Sequence, residues 1–199
     1  MPVDSFMYVF LAGLIAAEVI RFPHRMRVKR ERRQKKSGDD RTRAIDLALD
    51  LLAFAGMEII PLFYIFGTWL DFADYRLPPW AGWFGMAFFS GVLWLLWRSH
   101  ADLGQNWSPT VEVTEKQTLV TQGIYRSIRH PIYAAMWLWG IAQALLLQNW
   151  IAGLATLVLF MPVYFVRVPR EEQMMLDHFG QEYQTYLEHT GRIFPKWEG

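Results

Sequence analysis

The chain has 199 residues, a formal net charge of +1 at pH 7, a hydrophobic fraction of 53% and no cysteine. Its length suits one domain, and the lack of Cys excludes disulfides, thiolate catalysis, Cys-ligated metal and S-palmitoylation. The small net charge hides a segregation: residues 21–43 hold eleven Lys/Arg against Glu31, Asp39 and Asp40, a local net of +8.

A basic arm of that kind is one way to bind nucleic acid. Here both flanks are apolar and of membrane length, so the pattern points to a membrane protein without a nucleic-acid partner.

Residues 3–22 are apolar apart from Asp4, Glu18 and Arg21. With no Lys or Arg before its core and no clear small-residue cleavage site, this run reads as a retained anchor rather than a removed signal peptide. Residues 45–70 form a second run, interrupted by Asp46, Asp50, Glu58 and Pro61; residues 79–97, rich in Trp, Phe and Gly, form a third. Residues 131–147 and 150–166 form a fourth and fifth, joined by Gln148-Asn149. Each of these two is about 25 Å long as helix, short for a ~30 Å hydrocarbon core but tolerated. From Pro131 to Val166 there is no Asp, Glu, Lys, Arg or His. That exceeds what one soluble core needs, although a soluble helical bundle is the competing reading. Trp80, Trp83, Trp94, Trp97, Trp107, Trp137, Trp139 and Trp150 lie mostly near the span ends, as interfacial aromatics do.

The expected fold is therefore all-α: one polytopic membrane domain over 1–199, with about five transmembrane helices and a C-terminal amphipathic helix. Residues 1–99 would supply three spans and the basic loop 21–43, and residues 100–199 the hairpin 131–166 and the tail. The basic loop belongs in the cytoplasm. The N-terminus and the loop 71–78 are then outside, while the loop 98–130 and the tail 167–199 are cytoplasmic. In the tail, Pro169 suits a first helical turn, and Leu176, Phe179, Tyr183 and Tyr186 recur at helical spacing. Residues 191–197 read as an ordered extended segment.

The chemistry-bearing residues crowd around Gly123-Ile-Tyr-Arg-Ser-Ile-Arg-His-Pro-Ile-Tyr133. Pro131 is pre-set for helix position one and pushes His130 out of helical geometry. The N-terminus of the fourth span then opens into the loop 98–130, as an end that attracts carboxylate or phosphate. Arg126 and Arg129 add charge there, or simply face lipid phosphates. Arg167 and Glu171, at i,i+4, share a helix face as a local ion pair or as ligands of a zwitterion. Glu58, inside a span, is a functional candidate by its depth; Glu18 with Glu58 as a proton path would suit a non-enzymatic membrane protein. His100, His130 and His178 lack ligand spacing, so no metal is expected. No Gly-x-Gly-x-x-Gly follows a strand pattern, which excludes a Rossmann-type site.

Taken together, Leu119-Val120…Gly123-Ile-Tyr125, Arg129-His-Pro-x-Tyr133, Arg167-x-x-x-Glu171-Glu172 and Phe179-Gly-x-x-Tyr183 resemble the isoprenylcysteine carboxyl methyltransferase family. The likeness is especially to its short five-span prokaryotic members. The loop His100-x-x-Leu103-Gly104-x-x-Trp107-Ser108 also looks like the family's, and the match covers roughly 100–197. Phospholipid methyltransferases share part of the pattern.

The resemblance implies S-adenosylmethionine as methyl donor, with S-adenosylhomocysteine as product, bound on the cytoplasmic side. It implies cofactor contacts from Gln117, Leu119, Val120, Gly123, Ile124, Tyr125, Arg129, His130, Tyr133, Trp137 and Glu171. Arg167, with Glu171, would act at the methyl-accepting carboxylate. The acceptor would be lipid-like or prenylated and enter from the bilayer. A lipid-amine N-methyltransferase is the alternative, and it needs a base that a carboxylate acceptor does not.

Overall fold

The computed structural model describes residues 3–34, 40–104 and 118–196, and among them it is helical with no sheet. Helix α1 spans Val3–Gln34 and runs through Pro23 in its interior. The basic stretch 21–43 is thus not the loop expected: its first part extends α1, and helix resumes at Asp40, where α2 (Asp40–Phe54) begins. A π-helical turn, Ala55–Ile59, joins α2 to α3 (Ile60–Ile65), so the second run ends as helix at Ile65 rather than residue 70. Helix α4 is Pro79–Leu103, α5 Pro131–Leu147, α6 Ala155–Phe179 and α7 Gln181–His189.

Three stretches, Ser5–Arg27, Ala44–Ile65 and Pro79–Leu103, are long and apolar enough to cross a membrane, and Pro131–Leu147 is a shorter apolar helix. The chain therefore reads as an integral membrane protein. The expected start of the fifth run is corrected: residues 150–154 are turn, and α6 begins at Ala155. The expected separate tail helix is corrected too. Helix α6 carries Pro162 and Pro169 in its interior and runs unbroken to Phe179; the break comes at Gly180, with φ +53°. The periodic residues 176–186 are thus divided between α6 and α7.

The π turn leaves one carbonyl to be satisfied from elsewhere. In that register the Gly56 carbonyl would accept from the amide of Pro61, which has no N–H. Instead Gln143 Nε2 donates to Gly56 O at 3.1 Å and Thr156 Oγ1 at 2.9 Å. Gln143 also donates to Ala152 O at 2.6 Å and accepts from Trp139 Nε1 at 3.0 Å, so this buried amide is saturated. Where water is excluded, such pairing is required.

The core lies between α1, α4 and α5. Phe10, Phe89 and Trp139 meet there, Phe89 and Trp139 with centroids 4.8 Å apart. Trp139 is buried, not interfacial as its position implied; Trp80, Trp83, Trp94, Trp97 and Trp150 are exposed. A Cβ at Gly13 would lie 1.8 Å from the Phe89 ring, so glycine there allows α1 and α4 to approach. Helix α1 packs on α4 and α5, whereas α2 and the π turn pack on α6. At the end away from the site, Trp150 donates its amide to Ala73 O at 2.8 Å and Asn149 Nδ2 donates to Asp74 Oδ1 at 2.8 Å. The 71–78 and 148–150 turns therefore share one end, as the order of runs implied.

Candidate active site

Gly123 starts the site. Its φ is +61°, and a Cβ there would sit 2.0 Å from Asp102 Oδ2. Asp102, held by Arg98 Nε at 2.9 Å, accepts the Ile124 amide at 2.7 Å. The turn Gly123–Arg126 is thereby fastened to the end of α4. Tyr125 within it is buried, and burial pushes its phenol well up.

Beyond the turn, the chain pairs with the C-terminal segment. The Arg129 amide donates to Gly191 O at 2.8 Å and the His130 amide to Arg192 O at 2.9 Å. The extended segment expected after 190 is thus placed against residues 127–130; residue 197 lies outside the described residues. Glu172 holds this junction together. Its Oε1 is 3.3 Å from Arg129 Nη2, 3.3 Å from His130 Nε2 and 3.1 Å from Arg192 Nε. Burial alone would raise the Glu172 carboxyl, but hydrogen bonds from His130 and Arg192 outweigh it and hold it at about 2. Arg129 also donates to the Thr190 carbonyl.

His130 is the residue before α5, with Pro131 at the first helical position, as the His-Pro pair implied. The other side of the ring meets Glu171, with Nδ1 3.6 Å from Oε2. Tyr133, in the first turn of α5, donates to Glu171 Oε1 at 2.5 Å. Burial raises the Glu171 carboxyl, while His130, Tyr133 and Arg167 pull it back. Arg167 and Glu171 share a face, but the described ion pair of Arg167 is with Asp50, Nη2 to Oδ1 at 2.7 Å. Arg167 Nη2 also donates to Asp46 O at 2.8 Å, and its buried Nε has no hydrogen-bond partner among the described residues.

These groups line one cavity of about 630 Å³, a size usual for small-molecule sites. Leu119, Val120, Tyr125, Arg129, His130, Tyr133, Arg167 and Glu171 are all on its wall. Gly123 and Ile124 instead shape the turn, and Trp137 packs on Phe160, a wall residue, at 5.4 Å. Gln117, Asn106 and Trp107 lie outside the described residues. Met174, Met175, Tyr183 and Tyr186 also line the cavity. In the sequence Tyr183 belonged to a helical stripe and to the Phe179-Gly-x-x-Tyr183 motif, Tyr186 to the stripe alone, and the two methionines carried no signal. Arg21, Arg25 and Glu58 complete the wall from α1 and the π turn; depth within an apolar run was the signal for Glu58, whereas the two arginines read as part of the basic stretch.

Residues 84–177 match the isoprenylcysteine carboxyl methyltransferase (ICMT) family. The resemblance read from the motifs is borne out over that stretch. Among curated relatives, a probable protein-S-isoprenylcysteine O-methyltransferase of Oryza sativa subsp. indica is 29% identical over 86 residues, 42% of this chain and 45% of that protein. Protein-S-isoprenylcysteine O-methyltransferase B of Arabidopsis thaliana is 32% identical over 74 residues, 37% of this chain and 38% of that protein. The Homo sapiens protein-S-isoprenylcysteine O-methyltransferase is 33% identical over 97 residues, 47% of this chain and 34% of that protein. The chain thus spans less than half the length of these curated relatives. The cavity wall offers a carboxylate and hydroxyls beside apolar side chains.

Proposed function

We propose that the protein is a membrane methyltransferase that moves a methyl group from S-adenosylmethionine to the carboxylate of an isoprenylcysteine-like lipid. The observation carrying this reading is the convergence of His130, Tyr133, Glu171 and Arg167 on one cavity that continues along apolar α2 residues. S-adenosylmethionine, when bound, supplies an electrophilic methyl on a sulfonium. Glu171 suits an ammonium or ribose hydroxyls, and the apolar Leu119, Val120, Met174 and Met175 suit a base ring. The α5 N-terminus, whose first amides lack intrahelical acceptors, suits a carboxylate.

A carboxylate acceptor is ionised at neutral pH, so no base is required. The residues instead orient the acceptor and exclude water. Arg167, on the cavity wall, suits that task because a guanidinium forks onto a carboxylate. We place five spans across the bilayer, the first part of α6 from Ala155 forming the fifth, with the N-terminus outside and the site and C-terminus cytoplasmic. The basic extension of α1 supports that orientation.

Calorimetry in detergent with S-adenosylhomocysteine tests the donor; micromolar binding is expected, and no binding overturns the reading. Methylation of a lipid amine, rising steeply with pH, in place of a prenylcysteine analogue would overturn the carboxylate acceptor.

A further inference from the structure

Arg21, Arg25 and Glu58 lie outside the residues that match the family, yet they line the same cavity. Glu18 joins the arginines: Arg21 Nη1 is 3.3 Å from Glu18 Oε1, and Arg25 Nη1 is 2.8 Å from Glu18 Oε2. Each guanidinium uses only Nη1 in that pair, and a guanidinium carries five donors. Glu58 has no hydrogen bond or ion pair among the described residues. The four side chains sum to zero formal charge, all within stretches apolar enough to cross a membrane. A net charge brought into such a setting is costly, whereas a zwitterion leaves the balance unchanged.

We propose that this group is a binding site for an α-amino-acid end: the carboxylate on Arg21 and Arg25, the ammonium on Glu58. The proposal rests on the methyltransferase reading for the two molecules that can bring such an end. One is the amino-acid portion of the methyl donor, which would leave Glu171 to the ribose hydroxyls; the other is a prenylcysteine whose amine is free, its carboxylate then held by Arg21 and Arg25 in place of Arg167. A prenylated polypeptide, whose cysteine nitrogen is an amide, has no ammonium to offer Glu58.

Binding is measured by calorimetry in detergent for wild type and Glu58→Gln. One pair of probes is S-adenosylhomocysteine and 5′-methylthioadenosine, which lacks the amino-acid end. The other is S-farnesylcysteine and its N-acetyl form. The proposal expects Glu58→Gln to weaken one ammonium-bearing probe at least tenfold and leave its ammonium-free counterpart within twofold. Loss confined to S-adenosylhomocysteine assigns the site to the donor, and loss confined to S-farnesylcysteine assigns it to the acceptor. Equal loss for both members of a pair, or no loss for any probe, overturns it. Arg21→Gln is the second variant, expected to weaken the same probe. If wild type binds neither S-adenosylhomocysteine nor 5′-methylthioadenosine yet discriminates the farnesyl pair, the methyltransferase reading fails while the amino-acid site stands.

Discussion

Arg167 Nη2 lies 2.7 Å from Asp50 Oδ1, tying α6 to α2 at the edge of the cavity. Asp50 is half exposed, with 55% of its side chain accessible, so the pair contributes no more than about 1 kcal/mol to stability. Under the proposed function its larger effect is competition, because an acceptor carboxylate would seek the guanidinium that Asp50 holds. Asp50→Asn should lower KM for a prenylcysteine acceptor two- to fivefold while S-adenosylhomocysteine affinity stays within twofold. A raised KM would count against Arg167 as the carboxylate's partner.

Glu172→Gln should be among the most damaging single changes. It removes the charge that Arg129, His130 and Arg192 share and turns one acceptor oxygen into an NH2 donor, and removing one partner of a buried charge network costs about 3–5 kcal/mol. Denaturant unfolding in detergent measures it. The sign with pH follows from a folded value of about 2, below the ordinary carboxylate value. The stabilisation is full above that ordinary value and is lost as pH falls toward 2. Glu172→Gln should abolish that acid dependence.

Glu171 shifts the other way, upward through burial. If its carboxylate receives the donor's ammonium or hydroxyls, S-adenosylhomocysteine affinity should fall on acidification at a pH above the ordinary carboxylate range. Glu171→Gln should weaken binding about tenfold and flatten that dependence. An unchanged affinity would remove Glu171 from the donor site.

Gly123→Ala should distort the turn that carries Tyr125. The left-handed φ costs about 1 kcal/mol, and the new Cβ meets the Asp102 carboxylate. Donor affinity is expected to drop at least threefold. In an Asp102→Ala background the further loss should be smaller, since the steric part is gone; additive losses in the double variant would contradict the contact.

The sequence by itself determined the membrane character, the helix start at His130-Pro131 and the family resemblance. Each is a local property: apolar length, a ring-locked φ, or an ordered set of motifs. Local spacing also misled. Arg167 and Glu171 stand one turn apart, but their partners, Asp50 and Tyr133, come from other helices. Pro169 looked like a start because proline fits a first turn, yet α6 runs through it unbroken. Only the tertiary structure decided that Glu172 would bind Arg129, His130 and Arg192 together. It alone brought Arg21, Arg25 and Glu58 onto the wall that Glu171 shares. Helical periodicity fixes which residues share a face, but which faces meet is settled by packing between segments distant in the chain.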